Sequence, residues 1–157
     1  MHTLLERLWR RLQHVYRTKI KHISALTTGL TKNLSLSLTP HPPMRSGVSV
    51  VIPVLNEAVT IDAVVQYALS DAATAEVIVI DDSSIDDTAE LAKAAGAQVI
   101  TSSMLGKGAS MQDGAFAANF DIVVFLDGDL SGLQDHIISD MIAPLLNGSA
   151  DFVKAKF

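Results

Sequence analysis

Cysteine is absent from the 157 residues. That excludes a disulfide framework, a thiolate zinc site and a cysteine nucleophile, and it suits a reducing compartment. No apolar run reaches the ~18 residues that a membrane-spanning helix needs. The chain is therefore expected to be soluble and cytoplasmic, or at most to lie on a membrane surface. Glycine is missing from "PVLNEAVT" (53–60), the turn after the first apolar run. A nicotinamide-binding fold places G-x-G-x-x-G there. "GKG" (106–108) lacks both the spacing of a Walker A loop and the Ser or Thr that follows its lysine. The G-x-S-x-G elbow of α/β-hydrolases is missing too.

Basic residues are scarce over most of the chain and crowded at its start. Residues 1–45 hold eight Lys or Arg and one acid, Glu6. Residues 46–157 hold four Lys against sixteen acids, a balance that argues against a nucleic-acid partner. In "LLERLWRRLQHVY", Leu4, Leu5, Leu8, Trp9, Leu12, Val15 and Tyr16 recur at helical spacing with arginines on the other face. Residues 1–30 thus read as a basic amphipathic helical segment. It can pack on the rest of the protein or a partner, or touch an anionic membrane surface through residues 1–20. The Arg-rich, acid-poor composition is also that of an organellar transit peptide. Residues 31–46, with Pro40, Pro42 and Pro43, read as a linker.

From residue 47 apolar runs alternate with helical patterns. "VSVVIPV", "EVIVID", "AQVIT" and "DIVVFLD" read as buried strands, and "ADFVKAKF" as a fifth. Residues 57–70, the stretch from Asp86 to Gly96, the stretch after "GKG" and residues 134–147 read as the helices between them. The alternation predicts an α/β fold, a mostly parallel Rossmann-like sheet with helices on both faces. Ligands of such sheets bind beyond the carboxyl ends of the strands.

Those ends carry a coherent set of polar residues: Asn56 and Glu57; Asp81, Asp82, Ser83 and Ser84; Gly106, Lys107 and Gly108; Asp127, Gly128 and Asp129. Acids alone would repel one another. A divalent cation and an anionic ligand would reconcile them, since Mg²⁺ takes one or two carboxylates and completes its shell with substrate phosphates. Lys107 between glycines can approach a phosphate closely. Plainer readings compete: Glu57 suits a helix N-terminus, Asp127 and Asp129 suit a turn, and Lys107 suits solvent. Asp86 and Asp87 read as helix-start residues, Asp113 and His136 as surface residues, and Met104 and Met111 as core or loop packing.

Together "VSVVIPVLNEAVTI", "VIVIDDSSIDDT", "GKG" and "VVFLDGDL" resemble a GT-A glycosyltransferase of the family 2 type over residues 47–157. "GKG", D-x-D-L and "FVKAKF" resemble in particular the glucosyl-3-phosphoglycerate synthases. The consecutive Asp81-Asp82 is instead the general family 2 form. The resemblance implies a donor site for a nucleotide-diphosphate sugar, UDP-glucose, with Mg²⁺ or Mn²⁺. It places Pro53, Val54, Leu55 and Glu57 at the nucleoside and Asp82 at the uracil or ribose. Lys107 would meet the diphosphate, Asp127 and Gly128 the ribose or sugar, and Asp129 the metal. The acceptor would be a small phosphorylated acid, 3-phosphoglycerate, or a lipid phosphate at a membrane. A non-catalytic nucleotide-binding module is a further alternative. The resemblance also implies an acceptor half after the fifth strand. No catalytic residue of that half is assignable here, so the chain is expected to bind donor weakly and to turn over poorly alone. The edge left by the last strand would invite pairing with another chain, as in a homo-oligomer.

Overall fold

The computed structural model describes residues 46–132 and 134–155. Four strands and four helices alternate along them: β1 (Val48–Val54), α1 (Ile61–Ser70), β2 (Thr74–Asp81), α2 (Thr88–Ala94), β3 (Gln98–Thr101), α3 (Lys107–Ala117), β4 (Ile122–Phe125) and α4 (Ile137–Leu146). The strands form one parallel sheet in the order β3-β2-β1-β4. The expectations for residues 1–45 lie outside the described residues. No helix among the described residues is long and apolar enough to cross a membrane.

Strand alternation divides the core into two layers. Val48, Val50, Ile52 and Val54 of β1 and Val77 and Val79 of β2 face one side, where they meet Ile61, Val64 and Val65 of α1, Ala92 of α2, and Ile138 and Ile142 of α4. Val51 of β1 and Ile78 and Ile80 of β2 face the other, with Ala117 of α3. Helices therefore cover both faces, and all seven residues of β1 are buried. Full burial of each such Val or Ile contributes about 1.5–3 kcal/mol relative to exposure. That explains why these strands read as unbroken apolar runs rather than alternating ones. Asp71, just after α1, accepts hydrogen bonds from the Ser139 N–H at 3.1 Å and the Ser139 hydroxyl at 2.5 Å, which fastens α4 to α1.

Helix α3 lies close on its face of the sheet because Gly114 has no side chain there. A Cβ at that position would stand 2.2 Å from Val51 Cγ1. On the opposite edge of β1, Pro53 sets where β4 parts from the sheet. The Leu126 N–H donates to the Val51 carbonyl at 3.1 Å, and the β1–β4 ladder ends at Val51↔Phe125. In a parallel ladder alternate residues bond to the same neighbour, so the next donor toward β4 is residue 53. Proline has no N–H to give. The ladder with β2 uses the other edge and runs on to Val54↔Asp81.

The expected fifth strand does not form among the described residues. Residues 151–155 form no strand, and Phe152 is exposed. A β-strand is stabilised by its ladder partner, and the apolar alternation of "ADFVKAKF" cannot supply one. Helix boundaries also moved: residues 57–60 form a turn before α1 because the N–H groups of Thr60 and Ile61 both converge on the Glu57 carbonyl, each at 3.0 Å.

Gly114→Ala is expected to destabilise the protein. Alanine's better helix propensity gains up to ~1 kcal/mol. Forcing a methyl against a β-branched side chain on a buried strand costs about 1–3 kcal/mol and wins. Urea denaturation followed by circular dichroism measures the difference; an unchanged or raised midpoint would refute the close-approach argument.

Candidate active site

The loops that leave the carboxyl ends of the strands carry most of the residues singled out by sequence. Two of these loops are stitched together. The backbone N–H groups of Asn56, Glu57 and Ala58 donate to the Ser84 hydroxyl (2.9 Å), the Thr88 hydroxyl (2.8 Å) and the Asp86 carboxylate (3.2 Å). The Asn56 side-chain carbonyl accepts the Ile85 N–H at 2.9 Å. Asn56 sits at φ 57°, a left-handed conformation that asparagine tolerates better than most residues. The Thr88 hydroxyl in turn donates to Asp86. That bond, outweighing burial, holds the Asp86 carboxyl below its ordinary range. Asp86 is thus more than a helix-start residue: it fixes the loop that presents Glu57.

Glu57 lies against Gly128. A Cβ at residue 128 would stand 1.9 Å from Glu57 Oε2 and 2.7 Å from Val54 Cγ1, so this turn has room for glycine alone. The Thr60 hydroxyl donates to the Gly128 carbonyl at 2.8 Å. Val54, Glu57 and Thr60 together therefore seat the "DGD" turn. Burial, then the charges of Asp129, Asp127 and Asp86, push the Glu57 carboxyl up to about 7, with Lys107 partly offsetting them. Its Oε2 is buried without a hydrogen-bond partner.

Asp82, at the end of β2 and 8% exposed, uses its two carboxylate oxygens differently. Oδ2 accepts the Gly106 N–H at 2.7 Å. Oδ1 is buried and has no partner. Gly106 caps α3 at φ 109°, which L side chains rarely adopt. Lys107 is therefore the first residue of a helix, not a loop residue, and its ammonium pairs with Asp127. Both side chains are more than half exposed, so the pair contributes at most ~1 kcal/mol and is readily exchanged.

Of the sequence candidates, the fold brings Val54, Glu57 and Gly128 into contact and pairs Lys107 with Asp127. Asp129 is exposed beside them, Leu55 is half exposed on the rim, and Pro53 is buried in β1. Two readings change. Met104 is 71% exposed rather than packed. Asp113 is engaged: it accepts the Ser103 N–H at 2.7 Å and the hydroxyls of Ser103 and Ser102 at 3.0 and 3.2 Å. Thr60 was missed, and nothing in the sequence marks it. Asp86 reads in the sequence only as a helix-start residue and Gly106 only as a glycine that gives Lys107 room; their bonds to other loops leave no local pattern.

The donor set suits a hard divalent cation bound partly by its ligand. Among the described residues no group of three or more carboxylates or histidines is placed to hold a metal ion. One or two carboxylates beside a lysine are what Mg²⁺ or Mn²⁺ takes with a diphosphate.

A model of glycosyl transferase family 2 matches residues 49–157. Glucosyl-3-phosphoglycerate synthase of Mycobacterium tuberculosis is 37% identical over an alignment of 111 residues that covers 64% of this chain and 34% of that protein. Glycosyltransferase AglJ of Haloferax volcanii is 34% identical over an alignment of 123 residues that covers 68% of this chain and 40% of that protein. The Mycobacterium tuberculosis synthase in complex with Mn²⁺, UDP-glucose and phosphoglyceric acid matches with a TM-score of 0.60 at 34% identity, over 70% of this chain and 46% of that one. Its complex with Mg²⁺ and UDP matches with a TM-score of 0.59 at 36% identity, over 64% and 40%. The chain thus spans between a third and a half of these relatives' length.

Because the Glu57 carboxyl titrates higher in the fold than in the unfolded chain, the fold holds more protons between these two values. Its contribution to stability is full below 4.5 and is lost as pH rises through about 7. Glu57→Gln, in metal-free buffer, is expected to flatten the dependence of the thermal midpoint over that window and to raise the midpoint at pH 8. An undiminished slope in the variant would refute the assignment.

Proposed function

The chain belongs to glycosyl transferase family 2, and from that premise we propose that it binds a nucleotide-diphosphate sugar with Mg²⁺ or Mn²⁺ at this rim and serves sugar transfer. The observation that carries the reading is the convergence of Glu57, Asp82, Lys107 and the "DGD" turn, including two buried carboxylate oxygens that lack donors. A nucleoside supplies such a donor, an imide N–H, for Asp82 Oδ1, while Glu57 Oε2 stays against the Gly128 turn. UDP-glucose is the proposed donor, in keeping with the complexes of the Mycobacterium tuberculosis synthase.

Leu55, half exposed at the rim, supplies the apolar wall of the nucleoside site, with Pro53 and Val54 buried behind it. Lys107 exchanges its solvent-exposed pair with Asp127 for the diphosphate, and the first N–H groups of α3 face the same charge. Asp127 and Gly128 lie toward the ribose and sugar. Asp129 holds the cation, which when bound neutralises the charge that develops on the departing diphosphate. The proposed acceptor is 3-phosphoglycerate. A second reading, transfer to a lipid phosphate, draws on the exposed Leu55, Val59, Ile85, Met104 and Leu105, all on loops of this rim.

Calorimetry on the full chain tests the donor site. UDP is expected to bind with Mn²⁺ and at least tenfold more weakly without it, a difference of about 1.4 kcal/mol or more. Asp129→Ala should abolish the metal dependence, and Lys107→Met should weaken UDP about tenfold while sparing uridine. Absence of a UDP signal with Mn²⁺ would sink the reading. UDP release from UDP-glucose with 3-phosphoglycerate, compared with polyprenyl phosphate in detergent, decides between the acceptors. Binding without release in either would identify a nucleotide-binding module.

A further inference from the structure

We infer that Asp82 is a positioning residue that couples occupancy of the base site to the placement of Gly106 and Lys107. The inference rests on the donor-site reading above and adds to it a link between its two halves.

The loop from Ser102 to Gly106 has little apolar anchorage. Met104 and Leu105 are 71% and 79% exposed, and a Cβ added to Gly106 would meet nothing within 4 Å. Packing therefore does not decide where this loop sits; polar contacts do. At its start, the Ser102 N–H bonds to the Asp81 carbonyl of β2 at 2.8 Å, and Ser102 and Ser103 bond to Asp113. Because Asp113 belongs to α3 itself, the Asp113 bonds fold the rest of the loop onto its own helix. At its end, the Gly106 N–H bonds to Asp82 Oδ2 at 2.7 Å. That bond joins the helix start to the rigid centre of the sheet, where the Asp82 N–H is held by the Val54 carbonyl at 2.9 Å.

The same carboxylate has its second oxygen buried and free of partners. A base donating an N–H to Oδ1 would restrain the carboxylate, and a restrained carboxylate restrains Gly106. The ordering needed to present Lys107 to a diphosphate would then be shared between the two halves of one ligand, which makes their binding cooperative. A carboxylate also favours bases whose edge offers an N–H over those that offer an acceptor, as cytosine does at N3.

Pyrophosphate with Mn²⁺, which has no base, and UDP with Mn²⁺ separate the two roles on the full chain. Asp82→Ala is expected to weaken UDP more than tenfold and pyrophosphate about fivefold, because both the base contact and the latch are lost. Asp82→Asn keeps an acceptor for Gly106 and is expected to weaken UDP alone. Combined with Lys107→Met, the Asp82→Ala effect on UDP should shrink, as for residues acting on one element. The inference is overturned if Asp82→Ala and Asp82→Asn behave alike, with pyrophosphate affinity untouched and effects additive with Lys107→Met. Amide hydrogen exchange at Gly106 in the ligand-free chain supplies an independent reading: faster in Asp82→Ala and unchanged in Asp82→Asn if the latch holds, equal in all three proteins if it does not. Should UDP fail to bind the unmutated chain, the donor reading and the coupling both fall, whereas the Gly106 exchange still reports on the latch.

Discussion

Between β1 and β4 the hydrogen-bond ladder loses its next rung at Pro53, because proline carries no donor. The side of the rim that carries the "DGD" turn depends on that break. β2 continues alongside β1 to Asp81, whereas β4 is released after Phe125. The chain from Leu126 onward can then turn, which brings Asp127 to Lys107 and Gly128 beneath Glu57. A residue with an N–H at 53 would let β4 continue beside β1 and draw this segment into a regular strand. The proline is fully compatible with a buried central strand, since only one of its two edges is interrupted.

The rim concentrates negative charge, and the structure handles it by three separate means. Hydrogen bonds from Thr88 and backbone donors keep Asp86 charged. An exposed ammonium pairs with Asp127. Glu57, held up first by burial and then by the neighbouring carboxylates, instead favours its proton. These differ in reversibility. The Asp86 contacts are part of the loop architecture, whereas the proton on Glu57 and the Lys107 pair can be exchanged for a ligand's cation and phosphates at small cost. The groups that can change partner are those that face the proposed ligand.

Much of this was legible in the sequence, for definite reasons. Strands buried on both faces must be apolar at every position, so β1 and β2 announce themselves. Polar residues that interrupt such runs at their carboxyl ends are conspicuous, which is why Glu57, Asp82, Asp127 and Asp129 could be named. Contacts between loops distant in the chain left no pattern. Thr60 reaches Gly128 across 68 positions and Asp82 reaches Gly106 across 24, and neither pairing carries a local signature. The tail from Ala150 failed differently: its alternation satisfies the local rule for a strand, but a strand also needs a neighbour, and that is a tertiary property. Met104 misled because an apolar residue in a loop reads as packed until its exposure is known.

The strand order has a kinetic consequence. β4 pairs with β1 through Val48↔Ile122, so closing that ladder requires ends about 70 residues apart to meet, after the nearer pairing of β1 with β2 has formed at lower entropic cost. The "DGD" turn hangs from the most sequence-distant pairing in the sheet. Newly made or partly opened chains would hold the apolar centre before they hold the acids of the rim, and ligand would engage only those molecules in which the last strand has docked.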